Sequence, residues 1–286
     1  MTAGVRPGSS AAVVTIAAGR REHLRRQAMS LANQTVAPER YVIVDLGGDD
    51  PRRFVPEELQ AQIVSLDEPG APTSGATPGS LPLARARNVG AETADADVTV
   101  FLDVDCIAHP DLVRLYDEAV TTFRGVHAGP VGYLPEGHPR TIDPADLDPV
   151  ARYQDGRPVP GTHLHRTRRI ELFWSLSFAI DRASWARSGG FDEGYVGYGG
   201  EDTDFARRLD RVGVPIWFSG RARAFHQYHP VSSPPIEHVE AICRNAVRFR
   251  RTWGDWPMAG WLAEFAELGL VEWSPTGDRC VPTVSA

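Results

Sequence analysis

The sequence predicts an α/β fold in which a mostly parallel sheet is flanked by helices and followed by a C-terminal helical extension. Three observations carry that prediction. Short apolar runs rich in Val and Ile alternate with amphipathic helical patterns through the first half of the chain. One of these runs, Val98–Leu102, stops abruptly at two carboxylates, Asp103 and Asp105. It reads as a buried parallel strand that opens onto a ligand edge. After Pro234-Pro235 the periodicity becomes helical.

The elements follow in order. Met1–Ser10 reads as a disordered tip. Ala12–Ala17 is the first strand, and Gly19-Arg20 opens a turn into a helix over Glu22–Leu31, with Leu24, Ala28 and Leu31 on one face. Tyr41–Val44 is a second buried strand ending at Asp45, and Gln62–Leu66 is a weaker third. Asp67–Pro82, rich in Gly, Pro and Ser, is a loop. A helix over Ala84–Thr93 carries Arg85, Arg87 and Asn88 and leads into the acid-ended strand. This order is that of a Rossmann-like, nucleotide-binding half.

The next helix begins at His109-Pro110-Asp111, with Leu112, Leu115, Tyr116, Ala119 and Phe123 as its core stripe. Val126–Leu134 reads as a strand interrupted by Gly and Pro, and Pro135–Arg169 as a long polar connection. A strand over Leu172–Ile180 and a short helix over Arg182–Arg187 follow, then the turn-rich Gly189–Gly194. A helix starts at Glu201-Asp202 with Phe205, Leu209 and Val212 inward and ends at Gly213. Pro215–Phe218 and Ala222–Tyr228 are short strands, and Ile236–Thr252 and Trp256–Leu268 are apolar-striped helices. The expected units are 11–230, split into a nucleotide-binding half (11–125) and an acceptor and catalytic half (126–230), and an extension over 231–286.

Composition narrows the chemistry. A chain of 286 residues with a hydrophobic fraction of 42% has the make-up of a soluble globular protein. The net charge of −7 argues against a nucleic-acid partner, which requires a basic surface. All 30 basic residues are arginine. Schiff-base chemistry and a phosphate-binding Walker lysine are therefore excluded. Cys106, Cys243 and Cys280 form no zinc or CxxC pattern, so a reduced, cytoplasmic protein is the simplest expectation. No apolar run has the length of a transmembrane segment.

Four groups of residues could carry chemistry. Asp103-Val104-Asp105 could hold a divalent cation, although an acidic turn gives the same triplet. Gly199-Gly200-Glu201-Asp202 places two acids at a helix start, where acids also sit for the dipole alone; a carboxylate there could take a proton from a hydroxyl. His226, with His229 as the alternative, ends the last strand and could complete a metal site with Asp105. Arg85, Arg87 and Asn88 form either a solvated helix face or a diphosphate contact.

Leu83–Gly90 (Leu-Ala-Arg-Ala-Arg-Asn-Val-Gly), followed by Phe101–Cys106, resembles the nucleotide-sugar half of family 2 glycosyltransferases with the GT-A fold. Ser188–Glu193 and Gly197–Leu209 resemble the C-terminal segment of galactosyltransferases and of chondroitin-type polymerases, and the similarity spans Val13 to His229. The resemblance implies a metal-dependent, inverting transfer of a hexose from a nucleotide-sugar, UDP-linked by preference, to an acceptor hydroxyl. It implies Mn2+, or Mg2+, as cofactor, with Asp105 and His226 as ligands and Asp103 on the donor ribose. It implies Asp202 as catalytic base, Glu201 on sugar hydroxyls, Asp45 on the uracil ring, Ala17, Gly19 and Arg20 lining the nucleotide pocket, and Asp192 near the donor sugar. Arg85 is the expected diphosphate contact. Two departures stand out: Tyr198 replaces a frequent Trp, and Ala18-Gly19-Arg20 replaces the usual pattern after the first strand.

The expected partners are a nucleotide-sugar donor and a carbohydrate or natural-product acceptor. The C-terminal helices could shape the acceptor pocket, form a homodimer or dock peripherally on a membrane. Asp67–Pro82 and Pro135–Arg169 could act as lids that exclude water. The alternatives are a nucleotidyltransferase that makes a nucleotide-sugar, opposed by the missing Gly-rich, Lys-containing triphosphate loop, and a non-catalytic carbohydrate-binding protein, which would not need Asp202.

Overall fold

The computed structural model describes residues 11–66 and 81–283, so the expected N-terminal tip and most of the loop over Asp67–Pro82 lie outside the described residues. The chain opens with β1 (Ala11–Ala17), α1 (Arg21–Ala32), β2 (Arg40–Asp45), β3 (Gln62–Ser65), α2 (Leu83–Ala94) and β4 (Val98–Leu102). These match the expected strand and helix order. Strands β1, β2 and β4 are Val-rich and largely buried on both faces, as a sheet covered by helices on both sides requires.

The second half continues through β5 (Cys106–Ala108), α3 (Leu112–Thr122), β6 (Val126–Ala128), β7 (Val131–Tyr133), α4 (Pro144–Leu147) and β8 (His165–Arg166). It then runs through β9 (Ser177–Asp181), α5 (Arg182–Ser188), α6 (Glu201–Arg211), β10 (Ile216–Phe218) and β11 (Ala224–His226). The main sheet has the order β3-β2-β1-β4-β9-β6-β10-β8. Strands β9 and β8 run against the other six. A second sheet, β5-β11-β7, stands beside it.

One face of the main sheet packs Leu24, Ala28 and Leu31 of α1 with Leu112, Leu115 and Tyr116 of α3. The other packs α2 with Phe205 and Leu209 of α6 and the aromatic group Phe101, Phe178 and Phe191. Gly90 allows α2 to lie directly on β1 and β2, because a Cβ there would meet Val14 Cγ1 at 2.3 Å.

Several expectations are corrected. Val126–Leu134 is not one strand: Gly129-Pro130 breaks it, so β6 joins the main sheet and β7 the second. The strand expected over Leu172–Ile180 begins only at Ser177, since Ile170–Leu172 closes a 3-10 turn. Phe123 is not a core residue but lies 45% exposed against Trp217, and Val120 fills the inner face of α3. The connection over Pro135–Arg169 carries α4 and β8, and its Leu147 and Ala151 pack on Ile107, Leu134 and Phe225. Strand β5 was invisible in the sequence because three residues after an acidic turn show no period.

The C-terminal segment holds α7 (Val239–Trp253) and α8 (Ala259–Glu267), and also a small antiparallel pair, β12 (Val271–Trp273) and β13 (Cys280–Pro282). These pack together as a separate core of Ile242, Cys243, Ala246, Leu262, Phe265, Val271 and Cys280. No helix of the described residues is long and apolar enough to cross a membrane.

The core also holds a neutral histidine. His127 in β6 is fully buried, donates Nε2–H to the Phe123 carbonyl at 2.6 Å and leaves Nδ1 without a partner. Burial pushes its pKa down from 6.5 to about 4, against the raising effects of that hydrogen bond and of Asp181. In the unfolded chain this imidazole takes a proton on acidification near its ordinary value, while in the fold it resists. Stability is therefore fully retained above pH 6.5 and falls as the pH drops towards 4, by on the order of 3 kcal/mol from this residue. His127→Gln is expected to flatten the dependence of Tm on pH across that window, measured against the parent protein. An unchanged slope would contradict a neutral buried imidazole.

Candidate active site

The site forms where the two sheets part. Strand β4 ends at Leu102, and its end is held by Gln27, a fully buried residue of α1. The Gln27 amide donates to the carbonyls of Leu102 at 3.1 Å and Asp103 at 2.7 Å, and its oxygen accepts from Tyr41 at 2.8 Å and Thr15 at 3.2 Å. A buried amide with all its partners fixes the backbone that carries Asp103. The Cys106 N–H donates to the Asp103 carbonyl at 2.8 Å, which closes a tight turn and sends the chain into β5.

Strand β5 pairs antiparallel with β11, and the register sets His226 opposite Cys106. The Gln227 N–H donates to the Asp105 carbonyl at 2.7 Å. This pairing brings the imidazole of His226 to the carboxylate of Asp105, with Nε2 3.4 Å from Oδ2. His229 arrives at the same oxygen, with Nε2 at 3.5 Å. One ligand atom from each of Asp105, His226 and His229 lies within 4.8 Å of the others, a group that could hold a metal ion. Both histidines, presented in the sequence as alternatives, face the same carboxylate.

Arg20 Nη1 lies 2.6 Å from Asp105 Oδ2, so three nitrogen-bearing side chains converge on one buried oxygen, and a cation bound there would compete with Arg20 for it. Burial raises the pKa of Asp105, but the hydrogen bonds of His226 and His229 and the charge of His226 and Arg20 outweigh it and hold the group well below the carboxylate range. One carboxylate with two imidazoles is an N/O donor set suited to a first-row divalent ion. Asp103 behaves differently. Burial pushes it up to about 6, Asp105 adds to that, and Arg87 opposes it.

Arg87 links this half to the other. It is buried, with Nη2 3.6 Å from Asp103 Oδ1 and Nη1 3.4 Å from Glu201 Oε1, and its guanidinium lies 5.1 Å above the Phe191 ring. It therefore ties α2 to the start of α6, where Glu201 and Asp202 sit after Gly199-Gly200. Burial raises Glu201 to about 7, with Asp202 adding and Arg87 opposing. Asp202 is also raised by burial, against Arg87 and the N–H groups of Thr203 and Ser175. Carboxylates raised in this way accept protons more readily than free ones.

Ala17 at the end of β1 sits in register with Asp45 of β2. Gly19 and Gly48 approach closely, since a Cβ on Gly48 would meet Gly19 Cα at 3.3 Å. Arg20 adopts a left-handed conformation with φ 47°, a strained position for a non-glycine residue beside a site. A cleft of about 640 Å3 opens here, lined by Gly19, Arg20, Arg21, His23, Gly48 and Phe54. Asp45 Oδ1 accepts from Arg21 Nη2 at 2.7 Å and from the Gly47 N–H at 3.3 Å.

Two residues expected at the donor site, Arg85 and Asp192, are not among those that pair in the Asp103–Arg87–Glu201 cluster. Among the described residues Arg85 pairs with no carboxylate; Arg87, two positions on and roughly opposite on the helix, enters the cluster. Asp192 forms a two-pronged ion pair with Arg248 of α7 at 2.8 and 3.0 Å. Its loop is held from the other side by Asn88, which donates to the Phe191 carbonyl and accepts the Phe191 N–H. Arg244 and Asn245 of α7 donate to the Val196 carbonyl, and Asn245 also to that of Tyr198, which braces the loop that delivers Glu201 and Asp202. Gln27, Arg21 and these α7 residues carried no sequence signal, because their partners lie far away along the chain. His229 had one, being three residues from His226.

Comparison with known proteins supports the same region. Residues 160–230 match a family described as the N-terminal domain of galactosyltransferase. Over 260 residues, 80% of the chain, it is 28% identical to a validoxylamine A glucosyltransferase of Streptomyces hygroscopicus subsp. limoneus. It is 27% identical to the protein of that name from Streptomyces hygroscopicus subsp. jinggangensis. The matched region spans 53% and 57% of those relatives. The fold is similar to GalNAc-T7, solved with UDP, GalNAc and Mn2+, with a TM-score of 0.57 and 16% identity over 91% of this chain and 57% of that one. It is also similar to S. aureus TarS, with a TM-score of 0.55 and 17% identity over 90% of this chain and 42% of that one. The chain has the GT-A architecture, an α/β fold with a large, mostly parallel sheet.

Proposed function

We propose that the protein is a metal-dependent, inverting glycosyltransferase that moves a hexose from a UDP-sugar to a hydroxyl of a carbohydrate or natural-product acceptor. The observation that carries this reading is one continuous cluster. An Asp–His–His cation site and a pair of raised carboxylates are joined by Arg87 at the open edge of a GT-A sheet. Because these relatives are validoxylamine A glucosyltransferases, UDP-glucose and validoxylamine A are the first donor and acceptor to try.

Asp105, His226 and His229 would hold Mn2+ or Mg2+, which when bound neutralises charge on the leaving diphosphate. Asp103 takes the ribose, the Gly19–Gly48 cleft the nucleoside, and Asp45 the base. Glu201 takes sugar hydroxyls. Asp202 removes the acceptor proton as that oxygen attacks the anomeric carbon from the face opposite the leaving group. Arg87 keeps the neighbouring acids from sharing protons, and it takes the place of Arg85 in the expected cluster. Residues 11–230 form the transferase unit in this reading, with 231–286 as a brace behind the catalytic loop.

The test is a melting panel of UDP, GDP and dTDP, each with and without manganese. A ligand bound only by the folded state raises Tm by mass action, worth about 2.7 kcal/mol at a hundredfold excess over Kd. A manganese-dependent rise with UDP, larger than with the other two, is expected. No rise with any pair would overturn the donor site and favour a binding protein without turnover.

A further inference from the structure

We propose that Cys243 and Cys280 are a disulfide-forming pair that locks β13 onto the helix bracing the loop before Glu201 and Asp202. The two residues lie 37 positions apart, on α7 and β13, yet their Sγ atoms are 2.7 Å apart. Both are free thiols, 1% and 6% exposed, inside the same small core. Two thiols in mutual contact need only a small torsional adjustment to reach bonding geometry. Cys106 is the internal contrast: it is fully buried beside Asp105, in a different core.

Strand β13 has three residues and, among the described residues, pairs with β12 alone. So short a two-stranded pair opens locally at little cost. Opening β13 exposes Cys280 to a low-molecular-weight disulfide. Its thiolate attacks one sulfur of the oxidant and releases one thiol. The Cys243 thiolate then attacks the mixed disulfide, expels the second thiol and closes the Cys243–Cys280 bond. Two electrons and two protons pass from the protein to the oxidant, which leaves as two thiols.

The bond would act on the helix that matters most to the site. Besides Cys243, α7 carries Arg244, Asn245 and Arg248, which hold Asp192, Val196 and Tyr198. Trp253 of the same helix donates to Asp204 of α6 at 2.8 Å. Oxidation thus fixes β13 to the helix that positions the loop before Glu201 and Asp202.

The full chain is equilibrated, folded, in glutathione disulfide and acid-quenched; intact mass is read before alkylation, and the protein is then unfolded in the alkylating reagent for thiol counting and peptide mapping. The expected result is a fall from three thiols to one, a mass loss of about 2 Da and a cross-linked peptide pair containing Cys243 and Cys280. Closing a loop of this length is expected to raise Tm by on the order of 5 °C or more. Cys243→Ser and Cys280→Ser should each abolish the mass loss. Three remaining thiols in the parent protein, or a cross-link that includes Cys106, would overturn the proposal. These readouts need no substrate, so the outcome is separate from that of the transferase reading.

Discussion

Asp202→Asn is expected to lower kcat for glucosyl transfer by on the order of 10²–10⁴-fold while leaving the manganese-dependent melting shift with UDP in place. The substitution keeps the size of the side chain and its contact with the Thr203 N–H, but removes the negative charge that would take the acceptor's proton in the proposed reaction. Burial raises the pKa of Asp202, so a base at this position would become active above the ordinary carboxylate range. In the parent enzyme kcat/KM should rise with pH as Asp202 loses its proton, and in the variant that limb should vanish from the residual rate. The measurement is a pH profile of transfer from UDP-glucose to validoxylamine A, with donor binding followed in parallel. Full transfer by the variant would reassign the base to Glu201 or to the acceptor itself.

The second large effect is expected at the cation site. Asp105→Ala should abolish the manganese dependence of UDP binding and reduce transfer by about 10³-fold or more, because several kcal/mol of charge stabilisation on the leaving group is lost. The variant removes the one oxygen on which Arg20, His226 and His229 converge. His226 responds as well. Burial alone would lower its pKa, and it is the hydrogen bond and charge of Asp105 that raise it, so the imidazole should titrate lower in the variant. Calorimetric titration of manganese into the parent and variant proteins, with UDP present, checks this directly. Unchanged manganese binding in Asp105→Ala would show that the ion sits elsewhere.

The strand Val98–Leu102 and its two acids were legible because a buried strand needs a continuous apolar run and a sheet edge tolerates charge. The start of α6 was legible from Gly199-Gly200-Glu201-Asp202. Arg85 and Arg87 lie on one helix with the same chemistry, and only the packing of α2 against Phe191 decides which guanidinium is buried among the acids. A polar loop acid such as Asp192 shows nothing in the sequence of the Arg248 that pairs with it from 56 positions away. The extension was expected to be helical, and β12 and β13 escaped notice because strands of three residues have too little period to see.

By itself the sequence determined the strand-and-helix order of the first half, the carboxylates at one sheet edge, the acids at a helix start and the histidines at a strand end. Each is a local pattern, set by periodicity, turn chemistry or the preference of acids for helix N-termini. The tertiary structure alone decided that Asp105, His226 and His229 share one space, that Arg87 bridges Asp103 to Glu201, that Gln27 fixes the end of β4, and that Cys243 touches Cys280. The physical reason is that these contacts depend on strand register and on how helices lie across the sheet. Register follows from burial and pairing summed over the whole fold, and no short stretch of residues contains it.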